Sequence, residues 1–159
     1  MANETMRTSA AGLSALSEHE GAVLHYYNDS ADNCTYGVGT LAHVSPCTAE
    51  ELRRPVTQAQ VNTQLNLRVS VAEAAVRRGV PDRELTQAQF DSLVSFVYNT
   101  GAGGAAATLR VANRGDDRGV VGHMTDNVYV HPHVNGRRGP AVRLRGLVNR
   151  RQAESAPFR

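Results

Sequence analysis

Hydrophobic and polar positions follow two rhythms along this chain, and each predicts its own kind of element. Between 58 and 78, Val61, Leu65, Val69, Ala72 and Val76 recur at spacings of three or four. That is the repeat of one helix face. Thr57 caps this helix, and Gly79 and Pro81 stop it. About 20 residues at 1.5 Å each make a rod of roughly 30 Å. From 86 to 101, Phe90, Leu93, Val94, Phe96 and Val97 predict the most apolar helix, capped by Thr86 and ended at Asn99-Thr100-Gly101. A helix this apolar belongs at the centre of a helical lobe. The stretch from 22 to 45 reads differently. Val23, Leu24, Tyr26 and Tyr27 precede the turn cluster Asn28-Asp29-Ser30, and residues 35 to 41 then alternate up to Ser45-Pro46. This pattern predicts two or three short antiparallel strands.

Weaker signals fill the rest. Thr8 or Ser9 caps a short helix reaching about His19, with Leu13 and Leu16 on one face and Gly21 supplying its C-terminal stop. Residues 1–7 are expected to fray. Thr48-Ala49-Glu50-Glu51 is a capping box. Residues 102–107 are a loop or a close helix contact, followed by short helices at 108–113 and from Asp116 and Asp117 to about Thr125. Residues 127–140 suggest a hairpin around Asn135-Gly136, which Pro132 would confine to a sheet edge. A last helix over 143–153 should turn Leu144, Leu147 and Val148 inward and its arginines outward. The prediction is an α+β, mostly helical single domain over 1–159. It has an N-terminal helix and small antiparallel β lobe at about 10–57, a linking helix at 58–79 and a helical lobe at 80–159.

Composition fits that picture. The 159 residues are 41% hydrophobic and 20% charged, as in a soluble globular domain, and no run of 18 apolar residues is present. Charge is uneven: residues 1–109 carry 7 Arg against 11 acids, whereas 110–159 carry 10 Arg against 4, with no Lys anywhere. An Arg-rich C-terminal region suits an anionic polymer such as nucleic acid, or an anionic cell envelope. Few aromatics interleave with these arginines, so nucleic acid is not an expected partner. Cys34 and Cys47 are either two thiols or a disulfide. A loop of that length gains about 3 kcal/mol from a bridge in the chain-entropy account. No Cys/His set has zinc-site spacing, and His131-Pro132-His133 with His123 is only a weak ligand pattern. No metal and no cofactor are expected.

The chemistry concentrates between 20 and 39. Glu20 falls in the last turn of the first helix, where the negative end of the helix dipole disfavours a carboxylate, the condition a general acid needs. Asp29 follows nine residues later in turn-rich sequence, and Thr35 six after that, ahead of Gly37-Val38-Gly39. Two carboxylates and a hydroxyl on a helix end and an adjoining hairpin can perform acid–base work on a glycosidic bond.

This order of motifs resembles the phage-type lysozymes of glycoside hydrolase family 24. The carriers are Glu20-Gly21, Tyr27-Asn28-Asp29, Thr35-Tyr36-Gly37-Val38-Gly39, LTQAQFDSLVSFVYNTG at 85–101 and LRGLVNRRQAE at 144–154. The resemblance covers about 10–156. It implies a two-lobed lysozyme-like fold and a muramidase that cleaves the β-1,4 bond between N-acetylmuramic acid and N-acetylglucosamine. In that reading Glu20 is the acid, Asp29 orients or activates water and Thr35 positions it. Inversion is implied, with carboxyl groups separated by about 6.5–9.5 Å. Gly37, Gly39, Asn99 and Arg145 become candidate substrate contacts, and Arg145, Arg150 or Arg151 a candidate partner for Glu20. The family often has His after the Gly-x-Gly turn and Trp before the last helix; this chain has Thr40 and no Trp. Peptidoglycan is the expected partner, and a monomer the expected state. With no signal-peptide pattern at the N-terminus, synthesis in the cytoplasm and action on the wall after release are expected. A phage endolysin fits these features. An injected or secreted antibacterial lysozyme, or a wall-binding module without catalysis, are the alternatives.

Overall fold

The computed structural model describes residues 1–131 and 133–159, and for His133 and Val134 the backbone. Its elements are α1 (Ala10–Glu20), β1 (Val23–Asn28), β2 (Cys34–Gly37), β3 (Thr40–His43), α2 (Ala49–Arg53), α3 (Gln58–Gly79), α4 (Gln87–Asn113) and α5 (Asp117–Asp126). Then come β4 (Tyr129–Val130), β5 (His133–Val134), β6 (Arg137–Arg138), β7 (Val142–Arg143), α6 (Arg145–Ser155) and a 3-10 turn, Ala156–Phe158. Among the described residues the chain is mostly helical, with one three-stranded sheet and two short two-stranded ribbons. Among the described residues, no helix is long and apolar enough to cross a membrane. Two compact units result: Leu13–Val71, and Met1–Gly12 with Ala72–Arg159.

The Leu13–Val71 unit is built on the antiparallel order β1-β2-β3. The β2–β3 register shifts between Cys34 and Thr35, and the β1–β2 register shifts between Val23 and Tyr27. Leu16, Val38, Val56, Val61, Leu65 and Val69 form its buried core, each at most 5% exposed. Removing that apolar surface from water is what holds the sheet on its helices. Gly37 has a φ of 62°, and a Cβ there would meet Val61 Cγ2 at 3.1 Å, so only glycine lets the turn pack this closely on α3. Arg68 donates to the Val38 carbonyl and pins the same turn from α3. At α2, the hydroxyl of Thr48 accepts from Glu51 N, and the Glu51 carboxylate accepts from Thr48 N, completing the capping box. A disulfide joins Cys34 to Cys47.

The second unit packs around α4. Phe90, Leu93, Val94, Phe96 and Val97 are all at most 3% exposed. The helix breaks at Gly101, with φ 81° and ψ 160°, where the sequence pattern ends it. It then resumes. The small-residue run expected as a loop or close contact is helical through Asn113. Ala105, Leu109 and Ala112 explain this, because they repeat at helical spacing and are buried. Gly79 leaves room for Leu109, whose side chain would lie 2.7 Å from any Cβ added there.

Two other expectations are corrected here. Residues 1–7 do not fray as a whole: Asn3 is 4% exposed, donates to the carbonyls of Val80 and Arg83, and accepts from Leu85 N. One amide side chain satisfies three backbone groups that would otherwise lack partners. The arginines of the last helix do not all face outward. Arg150 and Arg151 are 5% and 1% exposed, while Leu144, expected inward, is 40% exposed. Burial is tolerated because Glu154 lies three and four residues along the same helix and pairs with both. The expected hairpin around Asn135-Gly136 is present and longer than foreseen: residues 129–143 pair as two ribbons, β4 with β7 and β5 with β6, with positive φ at Asn135 and Gly136. Pro132 lies outside the described residues, as does the His133 side chain of the weak ligand pattern.

Candidate active site

Three polar residues of the Leu13–Val71 unit are set by local chain geometry. Glu20 is the last residue of α1 and half-buried. Gly21 terminates the helix there, with a φ of 64° and its N–H donating to Ser17 O at 3.0 Å. A left-handed residue at this position releases the chain into β1 and leaves Glu20 at the carbonyl end of the helix.

Asp29 ends up as a fixed anion because the turn after β1 aims donors at it. Oδ1 accepts from Ala31 N at 2.8 Å and from Asn33 N at 2.9 Å. Oδ2 faces the Thr35 hydroxyl at 3.3 Å. The main chain closes the same loop, with Asp29 N donating to Asn33 O and Asp32 N donating to Asp29 O, both at 3.0 Å. Asp32 adopts a φ of 57° to make this turn. The backbone N–H of Asn33, then that of Ala31 and the Thr35 hydroxyl, hold the Asp29 carboxyl below its ordinary value of 3.8 despite partial desolvation. Thr35 is 4% exposed, and its single hydroxyl hydrogen is shared between Asp29 Oδ2 and Asn33 O at 3.1 Å.

The other expected contacts divide. Gly37 is buried against Val61, whereas Gly39 is exposed, with open space where a Cβ would stand. In the second unit, Asn99 is exposed and accepts from Arg151 Nη2. Arg145 opens α6 on the surface. Arg150 and Arg151 belong to a buried network with Glu154, Ser95 and the Asn127 carbonyl. Cys34 and Cys47 sit beside the Asp29–Thr35 turn, bonded to each other.

Sequence reasoning missed three features. Asn33 connects everything in the turn: its N–H feeds Asp29, its carbonyl receives Asp29 N and Thr35, and its Oδ1 accepts from Ser45 N. An Asx-turn signature beginning at Asp29 was the available signal. His43 was passed over as well. Its Nε2 lies 2.8 and 2.9 Å from the two Glu51 oxygens. The Thr48 backbone N–H, then His43, draw the Glu51 carboxyl down to about 2, and Glu51 in turn raises His43. The Arg150–Arg151–Glu154 cluster could have been found from its i,i+3 and i,i+4 spacing.

Residues 17–154 match the family described as Phage lysozyme. The chain belongs to that family, which places it among the lysozyme-type hydrolases. It is 32% identical over 162 residues to an endolysin of Acyrthosiphon pisum secondary endosymbiont phage 1, covering 96% of this chain and 98% of that relative. The fold is similar to the endolysin from Escherichia coli O157:H7 phage FAHEc1, with a TM-score of 0.79, 30% identity and coverage of 97% and 94% of the two chains. It is also similar to the muramidase domain of SpmX from Asticaccaulis excentricus, with a TM-score of 0.72, 25% identity and coverage of 96% and 97%. The mostly helical α+β architecture anticipated from the hydrophobic rhythms, and the lysozyme-like fold implied by the family resemblance, are the ones this chain has.

Proposed function

We propose that this chain is a peptidoglycan muramidase hydrolysing the β-1,4 bond between N-acetylmuramic acid and N-acetylglucosamine, and that it serves as a phage endolysin. The observation that carries this reading is the state of Asp29, an anion held by three donors in the same unit as a helix-end Glu20. Glu20 protonates the leaving glycosidic oxygen. Asp29 Oδ2, whose contact is the Thr35 hydroxyl, takes the proton of the attacking water, and Thr35 fixes that oxygen in place. A carboxylate committed to backbone donors is suited to orienting water rather than attacking carbon, so inversion is the stereochemical outcome. Gly39 offers an open backbone to the sugar, and Gly37 shapes the same turn. Asn99 and Arg145 are assigned to substrate contact on the strength of their exposure.

Contact with the anionic envelope falls to the arm and the start of α6. Arg137, Arg138, Arg143 and Arg145 are exposed there, and no acidic residue occurs between Asp126 and Glu154. Such a surface attracts anionic polymers in a salt-dependent way. The chain acts on the wall as a monomer. The test of the reading is digestion of purified peptidoglycan with product analysis. New reducing ends on N-acetylmuramic acid, released first as the α-anomer, are expected. New ends on N-acetylglucosamine, or no soluble glycan at all, would overturn it.

A further inference from the structure

Four side chains within eighteen residues converge beside the Asp29–Thr35 turn, and the reaction does not use them. Cys34 lies on β2, His43 on β3, Cys47 in the following loop and Glu51 on α2. The Cys34 sulfur, His43 Nε2 and a Glu51 oxygen all lie within 4.8 Å of one another. Cys34 Sγ is 3.8 Å from Glu51 Oε2, and Cys47 Sγ is bonded to Cys34. The sulfur pair carries no thiol hydrogen, so the 3.8 Å approach to Glu51 is a contact and not a hydrogen bond. His43 Nδ1 sits 3.0 Å from the Val44 carbonyl and donates to it, which leaves Nε2, now donating to Glu51, as the ring nitrogen turned toward the cluster. Metal-bound histidines are oriented by this same outer bond.

We infer that reduction of the Cys34–Cys47 disulfide converts this cluster into a Zn²⁺ site with Cys34, Cys47, His43 and Glu51 as its four ligands. The inference stands apart from the proposed reaction and does not depend on it. A dithiol supplies the two electrons: the S–S bond breaks, the dithiol becomes a cyclic disulfide, and its two hydrogens pass to the cysteine sulfurs. Zn²⁺ then replaces the two thiol protons and the hydrogen that His43 Nε2 shares with Glu51. Zinc–sulfur bonds of about 2.3 Å and zinc–nitrogen or –oxygen bonds of about 2.0–2.2 Å put tetrahedral ligand atoms roughly 3.3–3.8 Å apart. The separations of 2.8 Å between His43 and Glu51 and 3.8 Å between Cys34 and Glu51 already approach that span, and Cys34 and His43 lie within 4.8 Å of each other. Soft thiolates with an imidazole favour zinc over the hard cations. The ligand order Cys-x8-His-x3-Cys-x3-Glu is unlike a zinc-finger pattern, which is why spacing alone does not reveal it. The consequence is a hairpin braced under both conditions, by the disulfide when oxidised and by the metal when reduced. Thr35, next to Cys34, is held by either brace.

The test uses the full chain, reduced with a phosphine and titrated with Co²⁺ as a spectroscopic stand-in, followed by Zn²⁺. Expected are one equivalent of Co²⁺, thiolate-to-cobalt charge-transfer bands together with tetrahedral d–d bands, and displacement by one equivalent of Zn²⁺. The disulfide form should give no such bands. Losing an outer-shell partner alone costs about 10–100-fold in affinity, so His43→Ala should cost at least about 100-fold. Glu51→Gln keeps the helix cap acceptor and carries the test if His43→Ala fails to fold; it should weaken Co²⁺ binding at least about tenfold. Absence of charge-transfer bands in the reduced chain overturns the inference. So does Co²⁺ affinity unchanged in both variants, or equal binding by the disulfide form.

Discussion

Asp29 and Glu154 are both held as carboxylates by several donors, but by opposite means. Asp29 is half-buried in a turn, and its donors come from residues two, four and six positions ahead. Glu154 is 3% exposed and is held by Arg150 and Arg151 on its own helix and by the Ser95 hydroxyl at 2.6 Å, 59 residues away. The first arrangement stabilises an anion that solvent can still reach. The second closes an anion inside the fold, where it neutralises two buried cations. A carboxylate built by a turn can do chemistry, whereas one built by tertiary convergence maintains structure. Substitution should separate these two roles cleanly.

The largest effect is expected at Asp29. Asp29→Asn keeps an oxygen for the Ala31 and Asn33 N–H groups, so the turn should persist, but the base is gone. Initial rates on purified peptidoglycan should fall by about 10²–10⁴ with little change in the urea midpoint. A rate near wild type, or a large loss of stability, would erase the contrast with Glu154.

Glu154→Gln tests the other side. Removing the anion from beside two buried guanidiniums should destabilise the chain by about 3–5 kcal/mol in urea unfolding. A change under 1 kcal/mol would show that water or neighbouring carbonyls already satisfy the arginines. In the same unit, Asn3→Ala strands two carbonyls and one N–H and should cost about 2 kcal/mol. A smaller loss would mean that the N-terminal segment contributes little to that unit.

Thr35 gives the finest distinction. Thr35→Ala should lower kcat about tenfold, as loss of one hydrogen bond to a charged group predicts, and Thr35→Ser should restore most of it. The pH dependence follows from sign. Asp29 is depressed below 3.8, so its ionised form and the stability linked to it are complete above 3.8 and lost as pH falls through the depressed value. Thr35 contributes to that depression, so in Thr35→Ala the acid limb of the kcat profile should move toward higher pH. An unmoved limb would indicate that the hydroxyl bonds the Asn33 carbonyl alone.

The same contrast explains what could be read in advance. Caps at Thr48 and Thr86, the helix stop at Gly21 and the Asn135-Gly136 turn are each specified within four residues. The Asp29–Thr35 arrangement is specified within seven. All are visible as spacing. Burial of Arg150 and Arg151 is not, because it depends on Ser95 and on the Asn127 carbonyl arriving from other elements. Without those acceptors, arginines on a helix belong in water. The anchoring of Asn3 needed the carbonyls of Val80 and Arg83, about eighty residues away. The helical state of 102–113 followed from burial of Ala105, Leu109 and Ala112 rather than from the glycines that punctuate the segment.

Glu20 and Asp29 are proposed above as the acid and the base of a glycosidase. Glu20→Gln tests this assignment most directly in a turbidity assay on purified cell walls beside the wild type. Expected are rapid clearing by the wild type and clearing slower by about 10²–10⁴-fold in the variant, with circular dichroism and urea midpoint unchanged. Equal clearing by a folded Glu20→Gln chain would contradict it.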